Sequence, residues 1–424
     1  MLILSLIFLI IVLFIATKFF VHEASEKIFI LVFSVSTIYY GILGPWYWQE
    51  YRNSTYVGGY WGDQFPLVVF SFMAVYLLVV TTISVLGIKS KKPINFKDTI
   101  DITPLSNILH IFIGIGFISC GYAFIVGGAL IENSLAITDD PLVLILFQFS
   151  DIPVGALLYW AASKGFDKKW FLVSMLYIVF RIWVGLRGML AVFLGTLLIF
   201  IFIQTKKHKF ATRSLMVISG ICIVALFSIM TIARVKFSGL DLDVLSYADI
   251  DLLLYGLFAE TNIVFGLASC LKVFGDSVPF VGIQPFTDVF VQFIPRFLYP
   301  EKDLYGHLKE ISWWVGYSLE SQKSGTAPPF FGEYYVAFGW FGLIVGSVIY
   351  SAFVVYLLKF IRKYSVTKNQ YIMGAALVAV FIGFYYFSRG SIAQISKGMV
   401  FACTPYFFLL KYQSKIGISK LKSK

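Results

Sequence analysis

Residues 250–275 read IDLLLYGLFAETNIVFGLASCLKVFG, an apolar run long enough to cross a bilayer but interrupted by Glu260. Roughly 20 apolar residues suffice for a transmembrane helix, and the loops on the cytoplasmic side carry an excess of Lys and Arg. How this one run is read therefore decides the topology of everything after it. Counted as a single span, it inverts the rest of the chain and puts the basic cluster Lys359/Arg362/Lys363/Lys368 outside. Read as an amphipathic or re-entrant segment on the outer surface, packed over a helical bundle, it leaves every basic cluster on one side. Residues 278–300 are read the same way, and a pair that spans together also preserves the sidedness.

Outward from this run, the 424-residue chain is 59% hydrophobic and only 13% charged, which excludes a soluble globular class. The expected fold is all-α, a polytopic integral membrane protein. Apolar stretches at 1–17, 28–48, 66–88, 106–131, 141–162, 170–185, 188–204, 214–232, 335–358, 371–388 and 397–411 supply about eleven spans. Basic clusters at Lys89/Lys91/Lys92/Lys97, Lys164/Lys168/Lys169, Lys206/Lys207/Lys209/Arg213, Lys359–Lys368 and Lys411–Lys424 each follow an even number of spans from the last. One orientation satisfies them all, with the N-terminus outside and the C-terminus inside. Residues 1–424 form a single polytopic domain, with one large external loop over 233–334. The first span has no basic residue before it and no cleavage region, so it is expected to be a retained helix. Cys120, Cys222 and Cys403 fall within spans and Cys270 in a loop, which offers no disulfide framework and no cysteine metal site. The net charge of +11 is mostly cytoplasmic lysine facing anionic lipid, so no nucleic-acid partner is expected.

The arginines break the pattern that the lysines follow. Arg52, Arg181, Arg187, Arg234, Arg296 and Arg389, six of the eight, fall on the outer side. A guanidinium is a permanent charge with a planar fork that grips phosphate or carboxylate bidentately, which points to an anionic ligand outside. Two of them recur in a common setting. VGLRGML at 184–190 and YFSRGSI at 386–392 both place Arg-Gly where an inward-running helix begins. Such a helix start presents free N–H groups and a positive dipole end, and Gly188 or Gly390 admits a ligand close to the backbone. The alternative is that Arg187 and Arg389 only snorkel to lipid headgroups.

In FIPRFLYPEKD at 293–303, Pro295 and Pro300 stiffen the backbone around Arg296. His307 and Glu310 stand three apart and can share a helical face, making His307 a candidate proton acceptor; a solvated loop histidine is the other reading. Glu333 lies in TAPPFFGEYYVAFGWFG at 326–342, beside Tyr334 and Tyr335, where the chain enters a late span. It is a candidate site carboxylate or the hydrated partner of an interfacial aromatic belt. Burial would make Glu260 a plausible base as well. The pairs Asp241/Asp243 and Asp249/Asp251 have cation-ligand character, but acidic residues ahead of an apolar helix also serve as N-caps. Walker, zinc-protease and serine-hydrolase signatures are absent from the sequence.

Taken together, FIPRFLYPEKD, the GEYYVAFGWFG entry, the Arg-Gly turn at Arg187 and one large external loop among many helices resemble the Wzy-type polymerases of O-antigen and capsular polysaccharides. That family usually keeps both chain ends inside, whereas the N-terminus here reads as outside. The resemblance implies a GT-C-like glycosyltransferase in the bacterial inner membrane with its active site facing the periplasm. Its substrates would be oligosaccharide repeat units on undecaprenyl pyrophosphate, the growing glycan passing from its carrier to the terminal sugar hydroxyl of a new unit. No cofactor or metal is implied, because arginines can stabilise the departing pyrophosphate. Arg187, Arg296 and Arg389 would do so, with Arg234, Arg181 and Arg52 as further substrate contacts. His307, Glu333 or Glu260 would orient or deprotonate the hydroxyl, and inner-membrane lipids, a chain-length regulator and a flippase would be partners. An O-antigen ligase shares the plan, and a flippase or transporter for the lipid-linked sugar is the reading from another class.

Overall fold

The computed structural model describes residues 2–51, 62–88, 94, 103–126, 149–183, 187–204, 220, 222, 225–226, 228–229, 249–294, 298–299, 311, 328–387 and 392–422. These residues are almost entirely helical and contain no strand, only an isolated bridge between Phe274 and Val278. In chain order, α1 (Leu2–Ile15) runs on through a π-helical turn, Ala16–Phe20, and α2 (Ala24–Ser36) continues through Thr37–Leu43, Gly44–Trp46 and Tyr47–Tyr51. Then come α3 (Phe65–Leu86), α4 (Thr103–Val126), α5 (Ile152–Lys164), α6 (Lys168–Trp183) and α7 (Arg187–Gln204). The second half contains α8 (Ile250–Phe258), α9 (Ile263–Val273), α10 (Gln284–Val291), α11 (Phe330–Tyr364), α12 (Lys368–Phe387) and α13 (Ile392–Lys422). Among the described residues, 4 helices are long and apolar enough to cross a membrane, or up to 5 if α8 and α9 form one broken span. The other expected stretches overlap helices where they are described, with 127–131, 141–148, 184–185 and most of 214–232 lying outside the described residues.

Two compact units divide the chain. The first comprises Met1–Lys91, Glu260–Lys359 and Val378–Lys397. Its core is aromatic: Phe29, Phe33 and Tyr76 stack in sequence at 5.8 and 6.0 Å, and the Tyr76 hydroxyl is satisfied by Ser34 Oγ at 2.9 Å. Helix α9 lies inside this core. Every residue from Ile263 to Leu271 is buried, so of the two expected forms, an amphipathic surface helix or a re-entrant one, this half of the 250–275 run does not take the first, and its break leaves a broken span or a re-entrant loop. The reason is local. The run breaks at a 3-10 turn, Ala259–Asn262, whose Thr261 accepts a hydrogen bond from Trp48 Nε1 at 2.9 Å and packs on the bare face of Gly44. That dock leads α9 in against α3, where Phe265 meets Phe65 and Trp48 at 6.0 and 5.2 Å.

Helix α11 is not one straight rod. Phe338 (φ −144°) and Gly339 (φ +63°, ψ −149°) leave the helical region, and the Gly339 conformation is essentially reserved for glycine. The arm 330–337 folds back against the arm 340–364. Phe330 meets Tyr350 at 5.0 Å between ring centroids, although twenty residues of continuous helix would separate them by about 30 Å. Glycines permit the approach, since a Cβ at Gly342 would sit 2.1 Å from the Tyr334 carbonyl oxygen and one at Gly346 2.1 Å from the Tyr334 ring. The 335–358 stretch is therefore a short re-entrant arm followed by a long helix. At the far end of that helix, Lys359 Nζ donates to the Leu86 carbonyl at 2.8 Å, and Glu26 accepts from the Ile88 N–H at 2.7 Å.

The second unit comprises Lys92–Ala259, Phe360–Leu377 and Gly398–Lys424. Close helix contact again rests on a small residue, because a Cβ at Gly155 in α5 would lie 2.2 Å from the Ala402 carbonyl oxygen of α13. Tyr159, Gln370, Tyr406 and Gln413 form a fully buried polar network in which Gln370 Nε2 donates to Gln413 Oε1 and Tyr406 Oη donates to the Gln370 carbonyl. Lys164 and Lys368, at the ends of α5 and α12, lie within a few residues of Tyr159 and Gln370 in the chain, and Lys411 lies within α13 between Tyr406 and Gln413.

The fold-back makes a direct prediction. Cysteines at Tyr334 and Gly346 should cross-link readily under mild oxidation; in an unbroken helix they would lie about 18 Å apart and stay free.

Candidate functional site

The re-entrant arm of α11 begins directly after Pro328 and Pro329, and the Gly332 N–H closes the first turn on the Pro329 carbonyl at 2.7 Å. This sets Glu333 in the first helical turn with 0% exposure. Its Oε2 accepts a hydrogen bond from the backbone N–H of Ile392, the first residue of α13. A helix start has orphan N–H donors and a positive dipole end, so a buried carboxylate is well matched there. The Cys270 thiol of α9, also fully buried, lies within electrostatic reach of the same carboxylate.

A second group reaches the same turn. Gln292, immediately after α10, donates through Nε2 to the Ala393 carbonyl at 2.7 Å and to its own Val289 carbonyl at 3.0 Å. Helix α10 is itself fastened to the re-entrant arm, because Phe286 stacks on Tyr334 at 5.5 Å and 13°. The arm's orphaned carbonyls at Val336 and Ala337 accept from the N–H groups of Val281 and Gly282, each at 3.1 Å. Tyr335 packs edge-on against Phe280 and Trp340 at 6.0 and 5.4 Å. Tyr334 and Tyr335 are each only 7% exposed, so both are packing residues of this assembly rather than open interfacial groups.

Two segments singled out in the sequence, and the residue that precedes a third, thus meet at the start of α13. Glu333 comes from the GEYYVAFGWFG entry, Gln292 directly precedes FIPRFLYPEKD, and Ile392 follows Arg389 and Gly390 by three and two positions. Arg52, Arg234, Arg296, His307, Arg389 and Gly390 themselves lie outside the described residues. Arg187 and Gly188 open α7 and Glu260 sits in the 3-10 turn before α9, but their side chains also lie outside the description. Asp249 accepts from the Leu252 N–H at 2.7 Å and caps α8, while Asp241 and Asp243 are not described. Among the described residues, no group of three His, Cys, Asp or Glu side chains could hold a metal ion.

Arg181 has a different environment, within the second unit. It is 1% exposed and forms an ion pair with Asp151, while its Nε donates to Tyr177 Oη at 3.0 Å and Nη1 to Ser150 Oγ at 3.2 Å. The guanidinium is occupied by protein on three sides and ties the end of α6 to the start of α5. The sequence pattern groups Arg181 with the outer-side arginines and gives no sign of this partner. The available signal was Asp151, an acidic residue at the opposite end of α5 from Lys164. Gln292 was missed altogether, since a glutamine in a mostly apolar loop has no spacing that marks it.

No protein-family model, curated protein or solved structure matches the chain. Among the described residues the fold is almost entirely helical, with several helices long and apolar enough to span a bilayer and a buried carboxylate joined to a helix start.

Breaking a buried ion pair from one side strands the other charge, at a cost of about 3–5 kcal/mol. Asp151→Ala should therefore lower the melting midpoint in detergent markedly, and the double variant Asp151→Leu/Arg181→Met should recover part of the loss. Cys270 should resist water-soluble maleimide until the protein is unfolded.

Proposed function

We propose that the chain is a membrane-embedded glycosyltransferase that polymerises oligosaccharide repeat units carried on undecaprenyl pyrophosphate at the periplasmic face of a bacterial inner membrane. What supports this reading is the convergence on the first turn of α13 of the re-entrant carboxylate Glu333 and the residue that precedes FIPRFLYPEKD, directly after Arg389–Gly390 in the chain. The chemistry suits a set of arginines. A lipid pyrophosphate leaves as a stabilised anion, so the reaction needs charge stabilisation more than a general acid. Arg187, Arg296 and Arg389 supply it, and a donor and an acceptor lipid bound together give several arginines work. The attacking sugar hydroxyl needs orientation and a proton acceptor, the task of His307 or a carboxylate.

Reconstitution with purified undecaprenyl-pyrophosphate-linked repeat units tests this. Polymer should form in the presence of EDTA, and Arg187→Ala, Arg296→Ala and Arg389→Ala should each lower the rate roughly 100-fold or more. Full activity in all three sinks the phosphate-seat assignment, and loss on chelation returns attention to the Asp-x-Asp pairs. In a strain lacking the gene, lipid A core bearing a single repeat unit supports a polymerase. Unattached lipid-linked polymer would indicate a ligase instead, and repeat units retained at the cytosolic face a flippase.

A further inference from the structure

We infer that Gln292 and Glu333 are a pair of positioning residues that clasp the first turn of α13, with Glu333 acting as a hydrogen-bond acceptor rather than as the base; this rests on the polymerase reading. Glu333 binds the first N–H of the helix and Gln292 binds the next residue's carbonyl, so one turn is held from both its donor and its acceptor side. Both side chains are buried, Glu333 at 0% and Gln292 at 8% exposure, and Ala393 at 0%. A general base must come within hydrogen-bond reach of the hydroxyl it deprotonates. Glu333 instead has its Oε2 engaged by backbone inside the protein.

The clasp forms a closed circuit of contacts. Gln292 ties α10 to α13, Glu333 ties α13 to the re-entrant arm, and the arm returns to α10 through Phe286–Tyr334 and the two backbone bonds from Val281 and Gly282. Each member restricts the others, as a site built on catalytic groups displaced by no more than a fraction of an ångström requires. The circuit holds the chain on either side of two candidate arginine segments in sequence, Gln292 before Arg296 and Ile392 after Arg389. The Gln292 requirement is for a donor and the Glu333 requirement is for an acceptor, and that asymmetry makes the idea testable.

In the reconstituted reaction, Glu333→Ala and Gln292→Met should each lower kcat on the order of 100-fold with little change in KM, because a displacement near 1 Å can cost that much. Glu333→Gln keeps an acceptor oxygen and should restore most of the rate, with the acid limb of the pH profile in its wild-type place. Gln292→Glu, which loses the donor, should behave like Gln292→Met. Hydrogen exchange gives a readout independent of substrate: the amide of Ile392 should be protected in the full-length protein and in Glu333→Gln, and exchange much faster in Glu333→Ala. If Glu333→Gln is as inactive as Glu333→Ala and loses the acid limb, Glu333 is the base and the inference is overturned. Wild-type kcat in Gln292→Met, or an Ile392 amide indifferent to Glu333→Ala, also overturns it. A wild-type protein that makes no polymer at all defeats the polymerase reading instead, and leaves the exchange experiment to decide the clasp.

Discussion

A helix that turns back inside an apolar bundle orphans backbone carbonyls that water cannot reach, and each one left unpaired costs several kcal/mol in a hydrocarbon setting. At Gly339 that debt falls on Val336 and Ala337, and the N–H groups of Val281 and Gly282 discharge it. The positions of other elements follow from this pairing. Residues 278–283 must lie against the break, which lodges the Phe280 ring between Gly275 and Gly339, where an added Cβ would come within 2.8 and 3.0 Å. Helix α10 starts directly from that docked segment, so Phe286 falls on Tyr334 and Gln292 reaches α13. The re-entrant arm thereby brings Glu333 to the Ile392 N–H.

Of the four buried charged residues among those described, Glu26, Arg181, Asp288 and Glu333, the second and the last are answered by unlike means. Arg181 is answered by a formal counter-charge, Asp151, with two hydroxyls accepting from its Nε and Nη1. Glu333 is answered in part by a peptide N–H at the positive end of α13. The difference matters for chemistry. An arginine sealed by a carboxylate has little left for a phosphate, so Arg181 belongs to the framework of its unit. A carboxylate held by backbone keeps the helix start in register without adding a cation. Among the six arginines that the sequence pattern puts outside, this sets Arg181 apart from Arg187, Arg296 and Arg389.

Hydropathy made the helical class and most helix positions legible, because an apolar run of this length has few alternatives to a helix. It could not see the fold-back of α11. Phe338, Gly339 and Trp340 add no polarity to the run, and hydropathy is blind to a positive φ. The signal present was Gly339 at the break followed by Gly342 and Gly346, small residues that let the Tyr334 backbone and ring approach. Helix α9 was misplaced for a related reason: FGLASC reads as an interrupted amphipathic helix only if water or headgroups face its small residues, and in the fold those residues face other helices. Of the candidate site, Glu333 was legible as a carboxylate at an aromatic entry. Its partner was not, since Ile392 contributes only a backbone N–H, which every non-proline residue carries.

The sidedness question posed by residues 250–275 can be argued again from one contact. Lys359 Nζ reaches the Leu86 carbonyl, so the ends of α3 and of the long arm of α11 lie together and, in a membrane, on the same side. An even number of crossings must then separate them. The expected spans between these two ends are 106–131, 141–162, 170–185, 188–204, 214–232 and 335–358, an even number. The re-entrant arm adds none, because it enters and leaves on one side of the long arm's start. A lone crossing by 250–275 would make the count odd and pull Lys359 away from Leu86. If all six of those stretches cross, the 250–275 run either returns to the side it came from or is paired with a second crossing. That restriction rests on a lysine capping a helix end together with the six expected crossings, rather than on how many lysines populate each loop.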